Sequence, residues 1–246
     1  ARSLWAGTFH SVCARILRID GEALGIPSNF VVFDEGDQTT LVRQALRDAN
    51  YDCDQYKPAD VLHALGRAKD ELVGPEEYRR TAKGPFERVV AAVYDRYQAA
   101  LRENRAQDFD DLILRTVELF ETLPEVLDRW QERFRYVLVD EYQDINYAQY
   151  RFVRLLAAKY RNICVVGDDD QSIYGWRGAN VGLILRFQED YPDARVVYLE
   201  RNYRSTQHIL ECANAVISRN PTRAEKRLWT DNPHGDPVVI YQAVNE

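Results

Sequence analysis

Two short apolar runs, each ending abruptly in carboxylates, constrain this chain more than any other feature. Val137-Leu138-Val139 runs into Asp140-Glu141, and Val165-Val166-Gly167 runs into Asp168-Asp169-Asp170. A β-branched run of that length without polar alternation reads as a parallel strand buried on both faces. Acids at its carboxyl end face the crevice where open α/β sheets receive ligands. Between the runs, Tyr150, Val153, Leu156 and Ala157 share one face of a helix expected over about 147–159, as a helix covering a sheet requires. The expected order continues through strand 162–167, a helix over about 181–190 and strand 195–199. A further helix starts near Ser205, with Ser205 or Thr206 as N-cap and Ile209, Ala213, Val216 and Ile217 on its apolar face. That alternation predicts a parallel α/β sheet.

The stretch from about Arg18 to Arg133 breaks the pattern and reads as almost wholly helical. Val90, Val93, Tyr94, Tyr97 and Leu101 recur at helical spacing. Pro58, Pro75, Pro85 and Pro124 each precede a helical run, where proline is tolerated in the first turn. With 46% hydrophobic and 11% aromatic residues among 246, the chain can bury substantial cores and is not a disordered tail. Its apolar runs are strand-sized, well short of the ~20 residues of a membrane span, and a cytoplasmic setting of bacterial type is the default expectation. Cys13, Cys53, Cys164 and Cys212 lie far apart without metal-ligand spacing, so they read as buried or free thiols, with Cys164 a small hydrophobe inside a strand.

Adjacent acids at a strand end can divide labour, one holding a divalent ion and the other orienting a water. Asp140 is assigned to Mg²⁺ and Glu141 to the water. A solvated acidic turn explains an isolated Asp-Glu pair as well; the second block shifts the balance. There Gln171 offers a neutral amide to a terminal phosphate, and Tyr174 and Trp176 flank Arg177. Exposed rings suit unpaired bases, whatever their identity, although a tryptophan here also fits a core or hinge position. A net charge of −7 excludes binding through a broad basic face. It leaves stacking with a few local arginines, Arg151, Arg154, Arg177, Arg201 and Arg204, and salt-sensitive affinity.

Thr8-Phe9-His10-Ser11, Val139–Asp144 (VDEYQD), Gly167–Ala179 (GDDDQSIYGWRGA) and Leu199–Ser205 (LERNYRS), with Asp108–Ile113 and Lys226–Thr230, resemble the ordered motifs of UvrD/PcrA/Rep-type superfamily one DNA helicases over essentially the whole chain. The resemblance implies an ATP-dependent motor moving 3′ to 5′ on single-stranded DNA, unwinding duplex at single/double-strand junctions beside repair or replication proteins. It implies Mg²⁺ at Asp140 and Glu141, water activation by Glu141, γ-phosphate contact by Gln171, adenine stacking by Tyr203 and an arginine finger at Arg204. It places Thr8, Phe9, His10, Tyr174 and Trp176 along the DNA path. The implied fold is a partial RecA-like parallel-sheet core with a large all-helical insertion. Residues 1–17 and 134–200 would form the first RecA-like domain, 18–133 the insertion and 201–246 the start of the second. Ile145 stands where relatives usually carry Thr, and Arg201 where Gln is frequent.

No G-x-x-x-x-G-K-[ST] phosphate loop occurs in the sequence, although this chemistry depends on one. The expectation is therefore an internal fragment of a longer motor, inactive toward ATP by itself. The contrasting expectation is a catalytically silent DNA- or partner-binding module with a helicase-like fold.

Overall fold

A computed structural model describes residues 4–243; the outermost residues of the expected first and last units, 1–3 and 244–246, lie outside this range. In chain order the elements are α1 (Phe9–Asp20), β1 (Val31–Val32), α2 (Glu35–Asp48), α3 (Pro58–Asp70), α4 (Pro75–Thr81), α5 (Pro85–Glu103), β2 (Ala106–Gln107), α6 (Phe109–Thr122) and α7 (Pro124–Arg133). They continue with β3 (Val137–Val139), α8 (Tyr147–Ala157), β4 (Ile163–Val165), α9 (Gly182–Leu185), α10 (Phe187–Asp190) and α11 (Gln207–Ile217). The four prolines do open α3, α4, α5 and α7. Asn146 and Gln149 cap α8 reciprocally, closing two N–H groups that the first turn otherwise leaves open.

Two hydrophobic cores form. The first gathers α1, α6, α7, α8 and the β3–β4 pair, with Leu17, Val117, Phe120, Trp130, Phe152 and Leu156 buried together. Phe120 and Phe152 stack at 6.0 Å between centroids. The second gathers α2, α3 and α5 around Val42, Leu46, Leu65, Val90, Tyr94, Tyr97 and Leu101.

The stretch expected to be one helical body is thus shared between cores. Leu112, Ile113, Leu119 and Phe120 of α6 and Val126 and Trp130 of α7 belong to the first core with α1 and α8, rather than to the second. Nor is the stretch wholly helical: β1 and β2 pair in parallel, Val31 with Ala106 and Val32 with Gln107.

β3 and β4 pair in parallel as the motif runs require, Val137 with Ile163, Leu138 with Cys164 and Val139 with Val165. Burial on both faces does not follow. Val139 turns into the core while Leu138 is 77% exposed beside an exposed Cys164, because alternate strand residues face opposite sides and only one side meets α8. The expected strand 195–199 forms no ladder among the described residues, and Leu199 stands 81% exposed. The expected helix 181–190 is broken at Arg186 into α9 and α10. Asp190 is drawn onto α8 by the Tyr150 hydroxyl, which donates to it at 2.7 Å, and by Arg154, while Leu183 is buried in the first core.

Candidate active site

At the end of β3 the chain turns through Glu141, a non-glycine residue in left-handed backbone at φ +50°. That conformation costs on the order of 1 kcal/mol or more and persists where surroundings over-determine it. Here the turn delivers the Tyr142 N–H to the Val166 carbonyl at 2.9 Å, and the Val166 N–H reaches Val139 at 2.8 Å. Asp140 and Glu141 remain exposed, and the Asp140 carboxylate accepts the Glu141 N–H at 3.0 Å.

Gln143, only 1% exposed, joins the two acidic blocks. Its amide nitrogen donates to Glu141 Oε2 at 2.8 Å, and its amide oxygen accepts the Asp168 N–H at 3.0 Å. Asp168 in turn accepts from the Gln171 amide at 2.8 Å. A continuous relay, Glu141–Gln143–Asp168–Gln171, therefore links two of the expected site residues through two that were not expected. The sequence carried a signal for Gln143: among side chains, an uncharged amide can serve a carboxylate as donor and a backbone N–H as acceptor at once.

The relay also explains Gly167. A Cβ there would lie 2.6 Å from Gln143 Oε1, 2.8 Å from Ile184 Cδ1 and 3.1 Å from the Tyr142 nitrogen. Gly167→Ala is expected to destabilise the fold by about 1–3 kcal/mol, the range for overpacking, measurable by urea unfolding. An unchanged midpoint would refute so tight an approach.

The donor set suits magnesium held by few protein ligands. Among the described residues no three His, Cys, Asp or Glu side chains converge as a cage, and magnesium needs only one or two carboxylates beside substrate phosphates. Asp144 Oδ1, in the same turn, is buried without a hydrogen-bond partner. Burial, and then the charge of Glu141, pushes the Asp144 carboxyl upward, so this turn is poised to gain from a cation.

On the far side of the second block lies an aromatic ledge. Trp176 is 71% exposed, Tyr174 lies 6.4 Å from it and the Arg177 guanidinium 5.4 Å from its ring. The ledge borders a groove of about 650 Å³ between the second block and the helical unit, walled by Arg67, Tyr78 and Phe86. Gly178, at φ +85°, gives way there to Asp70, whose Oδ2 would sit 2.7 Å from an added Cβ. Asp70 accepts from the Asn146 amide at 2.5 Å, and burial, reinforced by Asp110, pushes its carboxyl up to about 7.

The Thr8–His10 segment divides. Thr8 caps α1, its hydroxyl accepting the Ser11 N–H at 3.3 Å, and Phe9 packs edge-on against Phe152 in the first core. His10 is half-buried, and burial holds its pKa below the usual value. Its ring meets the edge of Phe109 at 5.7 Å. Phe109, 47% exposed, was missed as a candidate because it reads as an ordinary apolar residue opening an amphipathic helix.

Tyr203 and Arg204 occupy a separate exposed turn. Asn202 shapes it by accepting the Arg204 and Ser205 N–H groups at 2.9 and 2.7 Å. Arg201 is anchored by Asp231 at 2.5 Å and lies over both Tyr203 and Trp229, 4.9 and 5.5 Å from their rings. The residue at this position thus orients the ring of Tyr203.

The acid-tipped pair of parallel strands is thus bridged by a buried glutamine and flanked by exposed rings. The chain belongs to the UvrD/REP helicase family: its N-terminal domain matches residues 1–192, and the UvrD-like helicase C-terminal domain matches residues 197–246. A Leuconostoc citreum protein described as ATP-dependent DNA helicase PcrA is 50% identical across all 246 residues, which cover 33% of that relative. Proteins of the same description from Staphylococcus epidermidis and Staphylococcus aureus are 48% identical across the whole chain, covering 34% of each. The chain spans about a third of the length of these curated relatives.

Proposed function

We propose that this chain supplies part of the motor of an ATP-dependent DNA helicase or translocase, with ATP and Mg²⁺ as its cofactors and single-stranded DNA as its track. The relay from Glu141 through Gln143 and Asp168 to Gln171 carries this reading, because it ties a water-orienting carboxylate to a phosphate-reading amide. Asp140, with Glu141 beside it, would hold the magnesium, which when bound neutralises charge on the phosphate oxygens. Glu141 orients the attacking water, Gln171 meets the terminal phosphate, Tyr203 stacks on the adenine and Arg204 supplies positive charge to the transferring phosphoryl group.

Residues 1–17 and 134–200 are assigned to a first RecA-like domain, 18–133 to an insertion and 201–246 to the start of a second. The core of α6 and α7 supports grouping them mechanically with the first. Movement of the second domain against the first, driven by nucleotide binding and release, would advance the chain 3′ to 5′. Single/double-strand junctions are the natural substrate for such a motor in repair or replication. Family membership supports assignment to the bacterial cytoplasm beside the nucleoid; among the described residues no helix is long and apolar enough to cross a membrane.

Tyr174 and Trp176 form the base-stacking ledge, and His10 with Phe109 extends the aromatic surface near α1. Thr8 and Phe9 serve the path by fixing α1. Trp176→Ala is expected to weaken oligothymidine binding by roughly five- to 150-fold, the equivalent of about 1–3 kcal/mol per stacked base. Thermal stability should hardly move, since the ring is 71% exposed. Fluorescence anisotropy measures the first and a melting curve the second; unchanged affinity would remove Trp176 from the path.

The chain alone is expected to hydrolyse ATP no faster than background, because no phosphate-binding loop is among its residues. The full-length parent should hydrolyse ATP, faster with oligothymidine, and should unwind a 3′-tailed duplex. DNA binding without turnover in the parent would instead support the silent binding module.

A further inference from the structure

Three consecutive carboxylates, Asp168, Asp169 and Asp170, would repel one another at a half-buried turn. Cations from far along the chain hold them. Arg223 grips Asp170 as a fork, Nε to Oδ1 at 2.9 Å and Nη2 to Oδ2 at 2.6 Å. Lys226 reaches all three acids: Asp168 at 3.0 Å, Asp170 at 3.2 Å, and Asp169. The Ala224 N–H adds a bond to Asp169 at 2.7 Å. The Lys226 side chain is 13% exposed and those of Asp169 and Asp170 are 7% and 13% exposed, so these pairs are sheltered from the screening that weakens surface ion pairs. The Arg223 fork keeps Asp170 below the usual carboxylate range.

The cations come from the segment after α11, within the part matched by the C-terminal family domain. The acids lie in the part matched by the N-terminal one. Asp168 is the point of contact between latch and site: one carboxylate oxygen takes Lys226, and the other takes the Gln171 amide. Its N–H is held by Gln143, which also holds Glu141.

We propose that Lys226 and Arg223 are positioning residues: they latch the segment after α11 onto Asp168–Asp170 and thereby set Gln171, coupling the placement of the second domain to the nucleotide site. The role assigned to Gln171 under Proposed function underlies this coupling, while the latch itself stands on the ion pairs.

The test uses the full-length parent. Lys226→Ala is expected to lower DNA-stimulated kcat by roughly ten- to a hundredfold, the scale of a misplaced catalytic group, with KM for ATP within about twofold. Lys226→Arg should restore most of kcat. Because Lys226 acts through Gln171, Lys226→Ala combined with Gln171→Ala should be no slower than Gln171→Ala alone; additive losses overturn the proposal. Amide exchange gives a readout free of catalysis. In Lys226→Ala the 167–174 peptide should exchange faster while α8 keeps its protection. Unaltered exchange in an active enzyme overturns the latch alone. A wild-type parent with no ATP turnover, yet with loosened exchange in the variant, overturns the nucleotide reading and the coupling with it.

Discussion

Glu141→Gln in the full-length parent is expected to reduce DNA-stimulated ATP turnover by roughly 10²–10⁴-fold, the contribution of a positioned general base, while ATP affinity stays within about twofold. The substitution isolates one property. Gln143 is pinned by the Asp168 N–H on its amide oxygen at 3.0 Å, so its nitrogen must keep pointing at residue 141, where it now sits 2.8 Å from Oε2. A glutamine there can accept the same bond through its own amide oxygen, and the left-handed turn at φ +50° is unchanged because the backbone substituents are alike. What disappears is the negative charge proposed to polarise the water. Phosphate release in the steady state and titration with a fluorescent nucleotide analogue separate turnover from binding. Turnover within tenfold of the wild type would assign the water to another group; parallel loss of nucleotide affinity would mean that Glu141 acts chiefly through the metal.

The parts of this site that were legible in the sequence are those fixed by local pattern. β3, β4 and the apolar stripe of α8 follow from residues a few positions apart, and the acids fall at strand ends because the runs stop there. Gln143 and Asp168 were hidden for a different reason. Their roles arise from a contact across 25 residues that depends on the absence of a side chain at Gly167. The partition of the helical stretch was equally non-local. α6 is amphipathic whichever core it joins, and only its contact with α1 and α8 decides. The run 195–199 shows the converse. Its composition is that of a strand, but a strand needs a neighbour to satisfy its backbone, and none pairs with it among the described residues. At Thr8 and Phe9 the local contacts were not legible in the motif: the hydroxyl caps α1 and the ring packs on Phe152, which only the folded helix brings together.

Lys69→Met is expected to cause the largest loss of stability of any single substitution considered, about 3–5 kcal/mol, because it strands buried carboxylates. For a chain of this size that corresponds to a fall in Tm of roughly 6–20 °C. Lys69 lies at the end of α3 with its side chain 1% exposed, 2.5 Å from Asp108 Oδ2 and 2.9 Å from Asp111 Oδ1, both themselves buried. Tyr97 donates to Asp108 at 2.8 Å and Gln98 to Asp111 at 3.1 Å. This network joins α3 and α5 of the second core to the start of α6 in the first, so it fixes how the helical unit is seated. Burial opposes both carboxylate charges, but the nearby Lys69 holds Asp108 below its ordinary value, while burial and the charge of Asp108 leave Asp111 raised. Without the lysine both acids are raised in the folded state. The folded variant then binds more protons than its unfolded chain between the unfolded carboxylate range, near about 4, and the raised values. Its stability must therefore recover as pH falls through that window. The wild type keeps the contribution of Asp108 until pH falls below the unfolded carboxylate range toward the depressed value, so between pH 7 and about pH 4 the gap narrows because the variant recovers. Urea unfolding of both proteins at pH 7 and near pH 4 measures that gap. Adding Asp108→Asn and Asp111→Asn to Lys69→Met should restore part of the loss at pH 7, since the stranded charges are then gone. A gap below about 1 kcal/mol at pH 7, the range of an exposed pair, or one that fails to close toward pH 4, would mean that this joint is held by the packing of α3 against α5 and α6 rather than by its buried charges.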